Sequence, residues 1–250
     1  MNKTEVLSKV PEITLVFWLI KILATTLGET GGDAVSMSLG LGYLVSSMIF
    51  GLVFIVAVAI QMFSKQFHPL TYWATIIATT TVGTTLADYA DRSLGIGYAG
   101  GSAILLSLLL LSLLAWRKLL GSIAIETVNS PKSEAFYWLT IMFSQTLGTA
   151  LGDWVADTEG LGYAASAAIF SGLLALIALA YYKTNLSRVY LFWGAFILTR
   201  PLGAVVGDFL DKPIENGGLE LSRYSATAAL LFLIAILLIA FKQKPAAQAH

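Results

Sequence analysis

Apolar stretches of about 20 residues follow one another along this chain, each long enough to cross a hydrocarbon core about 30 Å thick. Eight can be read, at roughly 13–36, 42–63, 70–90, 97–116, 135–156, 161–182, 189–210 and 224–241. Inside lipid the backbone has no water to bond with, so it must satisfy its own N–H and C=O groups, and these segments are expected as helices. The expected fold class is therefore all-α, a polytopic membrane protein with eight transmembrane helices, as a single transmembrane domain over residues 1–250. Only 12% of the residues are charged, about half the share in a soluble domain.

Composition narrows the function classes. Fifteen basic and 15 acidic residues balance, so no surface for nucleic acid is implied. Cysteine is absent, which removes disulfides, thiolate metal sites and cysteine nucleophiles. The histidines, His68 in a polar turn and His250 at the end of the sequence, offer no catalytic or metal-binding cluster. The N-terminal stretch lacks the pattern of a cleaved signal peptide.

The loops give an orientation. The N-terminus, the loops after even helices and the C-terminus hold Lys3, Lys9, Lys65, Arg117, Lys118, Lys132, Lys183, Arg188, Lys242 and Lys244. The loops after odd helices hold Arg92, Lys212 and Arg223, among the acids Asp91, Asp157, Glu159, Asp211, Glu215 and Glu220. The positive-inside rule then puts both termini in the cytoplasm, which an even helix count also requires.

A repeat runs through the whole pattern. Odd helices open on an aromatic pair: Phe17-Trp18, Tyr72-Trp73, Tyr137-Trp138 and Phe192-Trp193. Ten residues after each Trp stands a glycine (Gly28, Gly83, Gly148, Gly203), and five after that an aspartate (Asp33, Asp88, Asp153, Asp208). The even helices open on Gly40-Leu41-Gly42-Tyr43, Gly95-Ile96-Gly97-Tyr98 and Gly160-Leu161-Gly162-Tyr163, while the fourth copy carries a six-residue insertion before Tyr224. Repeats are expected at 13–66, 67–120, 133–184 and 188–242. Successive Trp lie 55, 65 and 55 residues apart, a pair of pairs. Two helices per unit make all units enter the membrane in the same direction, and a ring with pseudo-rotational symmetry about the membrane normal is the simplest assembly.

With Trp18, Trp73, Trp138 and Trp193, and the Thr25-Thr26-Leu27-Gly28-Glu29 and Gly32-Asp33 elements, the chain resembles a family of bacterial integral membrane proteins built from four tandem repeats of unknown function. Each repeat of that family has two transmembrane regions and a characteristic tryptophan. The resemblance spans the chain and implies this architecture in a bacterial inner membrane. It implies no activity.

If each Trp marks the cytoplasmic interface, the Gly lies ~15 Å deeper, near the midplane, and the Asp ~22 Å deeper. The Trp and Tyr rows are expected as interfacial belts. Thr26, Thr81 and Thr146 stand two residues before the marker Gly, with Pro201 in the fourth copy, and Glu29 stands one after it. Glycines between Gly28 and Asp33, and between Gly148 and Asp153, are expected to weaken the helix and free carbonyls toward a cavity. The candidate ion-binding set is Glu29, Asp33, Asp88, Asp153, Asp208, Thr26, Thr81 and Thr146, with the five carboxylates as metal ligands. Oxygen donors of this kind suit hard cations such as Mn²⁺, Mg²⁺ or Ca²⁺. Arg200 and Lys21 are the intramembrane bases available as charge partners. Lys21, close to Trp18, is expected to snorkel to the interface. Arg200 can instead pair with Glu29 and lock the fourth repeat to the first, and the Asp can be structural helix ends.

These features lead to a transporter or exporter of a cation, with a divalent metal such as Mn²⁺ exchanged for protons as the concrete form. A channel or small-solute carrier with structural Asp is the alternative, and a membrane scaffold or enzyme the second. No catalytic residue or cofactor is expected, with a divalent cation as substrate. Partners are the lipid bilayer and a small cation or proton, not nucleic acid, and a homo-oligomer is compatible with the sequence.

Overall fold

A computed structural model describes residues 7–158 and 160–247, Thr158 by its backbone alone. Lys3, Glu159 and His250 lie outside the described residues. The chain forms α1 (Leu15–Asp33), α2 (Gly42–Phe63), α3 (Pro69–Asp88), α4 (Tyr98–Leu120), α5 (Pro131–Asp153), α6 (Gly162–Lys183), α7 (Arg188–Asp211) and α8 (Arg223–Ala240). Among the described residues there is no strand, only an isolated antiparallel bridge between Pro11 and Pro245.

The odd helices form an inner ring: α1 packs on α3, α3 on α5, α5 on α7, and α7 on α1. Each even helix lies outside and packs chiefly on the inner helix of the next repeat rather than its own. Thus α2 covers α3, α4 covers α5, α6 covers α7, and α8 closes the cycle on α1. Five helices, α2, α4, α6, α7 and α8, are long and apolar enough to cross a membrane. The other three, α1, α3 and α5, carry threonine, glycine and charged side chains on buried faces, which lowers their hydropathy. The outer helices present Leu52, Ile55, Leu111, Leu176 and Ile239 outward, an apolar exterior that suits lipid.

Marker glycines sit where inner helices touch. Gly28 faces Thr80, Gly83 faces Gln145 and Thr146, Gly148 faces Arg200 and Pro201, and Gly203 faces Thr25. Each points to the following repeat, and the fourth to the first. The glycines between Gly28 and Asp33 and between Gly148 and Asp153, expected to weaken the helix and free carbonyls, leave it intact: α1 and α5 run without interruption through both stretches. Missing Cβ atoms permit close approach of backbones.

The chain loosens after the Asp instead. Residues 34–38, 89–93 and 154–158 each make one π-helical turn. The Gly-X-Gly element follows, and its glycines at 40, 42, 95, 97, 160 and 162 all have φ between 65° and 77°. That left-handed backbone is what requires glycine there.

The aromatic rows are also corrected. Tyr72, Trp73, Tyr137, Trp138 and Trp193 are buried rather than arranged as a lipid-facing belt. Phe17 meets Trp73 (ring centroids 5.4 Å apart), Tyr72 meets Trp138 (5.8 Å), Tyr137 meets Trp193 (6.2 Å) and Phe192 meets Trp18 (5.9 Å). Each repeat again reaches the next. The rings plug one end of the inner ring, because large planar side chains fill a closing bundle with tilted and edge contacts. Backbone segments cover this Trp end: Lys9 N–H donates to Val128 O (2.9 Å) and the Trp193 indole to Ile123 O (2.9 Å). Lys9 pairs with Glu134 at 2.7 Å.

Within the plug the Tyr72 and Tyr137 hydroxyls share a hydrogen bond of 2.6 Å. Tyr72→Phe is expected to leave the Tyr137 hydroxyl buried without it and cost about 1–3 kcal/mol. The Tyr72→Phe/Tyr137→Phe pair should lie closer to wild type than either single change. Thermal unfolding in detergent decides, and a pair less stable than both singles would refute the assignment.

Candidate functional site: an axial column ending in carboxylates

Positions four apart share a helix face one turn above another, so each inner helix presents a column to the axis. From the aromatic row these columns read 17, 21, 25, 29, 33 on α1 and 72, 76, 80, 84, 88 on α3. On α5 they read 137, 141, 145, 149, 153, and on α7 192, 196, 200, 204, 208. The successive levels hold aromatics, then Lys21 with Ile76, Ile141 and Phe196, then Thr25, Thr80, Gln145 and Arg200. Glu29, Thr84, Thr149 and Ala204 come next, and finally the four Asp.

Arg200 fills the middle. Its Nη2 donates to Glu29 Oε2 at 3.0 Å, and to the hydroxyls of Thr84 and Thr149. These three acceptors occupy one repeat position on three helices. The fourth helix has Ala204 there, one turn from Arg200, and its small side chain leaves the guanidinium room. The Glu29–Arg200 pair open in the sequence is thus formed, at full burial.

Asp33, Asp88, Asp153 and Asp208 are all buried at the level above. One oxygen from each of Glu29, Asp33 and Asp88 lies within 4.8 Å of the others, and the same holds for Glu29, Asp153 and Asp208. Glu29 thus belongs to both groups, and the five predicted carboxylates come together. A third such group is Asp33, Asp208 and Asp211.

Two bases divide this layer. Arg92 bridges Asp88 (3.1 Å) and Asp153 (2.9 Å). Lys212 bridges Asp208 (3.1 Å) and Asp33 (2.7 Å). Each base stands four residues after its own Asp, and repeats one and three have Met37 and Asp157 at that position. Arg223 adds a bond to Asp211 at 2.9 Å and approaches Asp33 at 3.8 Å. All three bases of the acidic loops are therefore drawn to the carboxylates. Burial opposes the charge on Lys212, but Asp208, Asp33 and Asp211 outweigh it and hold its pKa above the usual lysine value. Arg92 is raised in the same way against its burial, by Asp88 and Asp153. Both stay cationic at neutral pH. Asp33 Oδ1, Asp153 Oδ1 and Asp211 Oδ1 are buried and have neither a hydrogen bond nor an ion pair among the described residues. A cavity of about 540 Å³, lined by Arg92, Asp157, Tyr163, Lys212 and Asn216 among others, opens outward at this end.

The remaining predicted residues lie elsewhere. Thr26, Thr81 and Thr146 each donate to the carbonyl one turn back, Ile22 (3.0 Å), Ile77 (2.8 Å) and Met142 (2.9 Å). Thr84 and Thr149 supply the hydroxyls at the centre in their stead. The snorkelling of Lys21 is corrected: it is fully buried, with Nζ 4.2 Å from the centre of the Phe196 ring and no hydrogen bond. Position 21 belongs to the axial column, and a side chain pointing there has no path to headgroups. Arg92, Lys212 and Arg223, loop bases in the sequence, are partners of the layer in the structure. The four-residue step from Asp88 to Arg92 and from Asp208 to Lys212, helical neighbours, was the available signal.

No curated protein and no solved structure matches the chain. A family model, described as "Repeat of Unknown Function (DUF347)", matches residues 16–67, 71–119, 136–187 and 191–243. Each segment covers most of one helix pair, and together they make up most of the chain, which therefore belongs to the DUF347 repeat family.

Proposed function

We propose that the protein is a cation carrier of the bacterial inner membrane. It has eight spans, both termini in the cytoplasm, and four repeats related by rotation about the membrane normal. The concrete form is exchange of a divalent metal such as Mn²⁺ against protons. The observation that carries this reading is the gathering of Glu29, Asp33, Asp88, Asp153 and Asp208 into two groups with oxygens inside 4.8 Å. Oxygen-only sites of this kind suit hard cations, and buried acids clustered together within a membrane protein are costly without a use. The covered Trp end and the cavity at the Asp end suit a conformation open to the outside.

A second reading, a channel or small-solute carrier with structural Asp, draws on the short bridges from Arg92 and Lys212. Flux separates the two. Each of the five acids is replaced by its amide, with the exposed Glu215→Gln as control, and Mn²⁺ uptake into proteoliposomes is followed across pH. The carrier reading expects flux in wild type and in Glu215→Gln, and a loss of at least roughly tenfold in Glu29→Gln and Asp33→Asn. Absence of divalent flux in wild type at every pH sinks it. Flux retained in all five amides assigns the Asp to structure.

A further inference from the structure

We infer that Arg92 and Lys212 are tethered competitors for the cation site: each occupies a pair of the carboxylates that would bind the ion, and each must swing into the open cavity before the ion can enter. The inference rests on the carrier reading above and names the residues that regulate the same site.

Four observations support it. First, the two bases are arranged alike. Arg92 spans Asp88 and Asp153, and Lys212 spans Asp208 and Asp33, so the four Asp are consumed two by two. Second, each clamp takes one carboxylate from each of the two groups that share Glu29. Arg92 takes Asp88 from the group with Asp33 and Asp153 from the group with Asp208, while Lys212 takes Asp33 from the first and Asp208 from the second. A divalent ion at either group would sit beside a fixed positive charge, so ion and clamp exclude one another by direct repulsion. Third, both clamps line the 540 Å³ cavity, where Asp157, Tyr163 and Asn216 offer polar groups to a displaced cation. Fourth, both are placed where the backbone can give. Arg92 lies in the π-helical turn 89–93, and Lys212 follows the last residue of α7, ahead of the inserted segment.

Glu29 is held differently, by Arg200 in the closed middle of the ring, with no exposure. It is the fixed ligand common to both groups, while the Asp are released in pairs. An entering divalent ion supplies the positive charge that the clamps withdraw, so the carboxylates are never left together without a counter-charge in a region of low dielectric.

The test uses the full-length protein in detergent and Mn²⁺ itself. Free Mn²⁺ is read by electron paramagnetic resonance in wild type, Arg92→Gln, Lys212→Gln, the double variant, and Lys212→Arg as the charge-retaining control. Removing a clamp should tighten Mn²⁺ binding by on the order of tenfold, and Lys212→Arg should leave it near wild type. Binding by wild type that is unchanged or weaker in both clamp variants overturns the inference and leaves the carrier reading standing. Binding by the double variant alone supports the inference. Absence of binding in wild type and variants alike overturns both.

A second measurement needs no variant. Lys212 is acylated with an amine reagent and quantified by mass spectrometry with and without Mn²⁺. Displacement predicts a several-fold rise in Lys212 labelling at saturating Mn²⁺, while the exposed Lys183 stays constant. Binding of Mn²⁺ with unchanged Lys212 labelling refutes displacement, including where the clamp variants fail to fold.

Discussion

Arg200→Met is expected to destabilise the protein by about 3–5 kcal/mol, because it leaves the Glu29 carboxylate buried without its partner. The guanidinium is fully buried and bonds to three inner helices, α1, α3 and α5, from the fourth. Its loss therefore removes one charge and three bonds at the same depth. Restoring neutrality should recover much of this: Glu29→Met with Arg200→Met replaces a buried ion pair by apolar side chains, a change often near neutral. Thermal unfolding in detergent, with retention of a monodisperse peak in size exclusion, checks both. A single Arg200→Met variant as stable as the double variant would falsify the view that the pair holds this level of the ring.

Gly203→Val should weaken assembly nearly as much, by about 3 kcal/mol, at the upper end for overpacking. A Cβ at Gly203 would lie 2.8 Å from the backbone carbonyl carbon of Thr25, on the helix that closes the ring, and backbone cannot rotate away. Gly172, in the outer helix α6, is the control, because a Cβ there meets nothing within 4 Å. Gly172→Ala should be neutral or stabilise by about 0.5–1 kcal/mol, since alanine loses less conformational freedom in a helix. Equal melting temperatures for Gly203→Val and Gly172→Ala would show that the glycine contact does not limit packing. Both proteins should be compared at one detergent concentration.

The repeat register was legible because it is covalent: Trp, Gly and Asp recur at fixed spacing, and each spacing keeps its residue on one helix face. So the gathering of Glu29 with Asp33, Asp88, Asp153 and Asp208 followed from the sequence. What the register could not show was which neighbour each position meets. A glycine within a helix marks a weak point of that helix on sequence grounds, whereas Gly203 serves the close approach of the Thr25 backbone. The aromatic rows were read against lipid, the habitual environment of tryptophan at a membrane boundary, while Trp73 and Trp193 face other inner helices. Lys21 was misplaced for the same reason. Depth along a helix can be counted from the sequence, but facing in or out depends on which helices enclose it. Arg92 and Lys212 were counted as loop charges, although their position one turn beyond an Asp put them within its reach.

Closure of α8 on α1 has a consequence for how the molecule is made. Chains emerge from the ribosome N-terminus first. Of the eight helices, α1 appears before the others and carries Lys21, Glu29 and Asp33, and its outer cover, α8, appears after them. During synthesis Glu29 and Asp33 of α1 therefore wait for their ion partners until α7 brings Arg200 and the segment after it brings Lys212. A chain interrupted before α7 leaves α1 without two of its neighbours, α7 and α8. In the finished ring the seam is stitched at its ends, where Ala246 N–H bonds to Val10 O at 2.8 Å. New ends cut into the linker between α4 and α5, with the present ends joined, would leave every helix with its present neighbours, so a permuted chain that starts at α5 would make its helices in a different order and close the same ring.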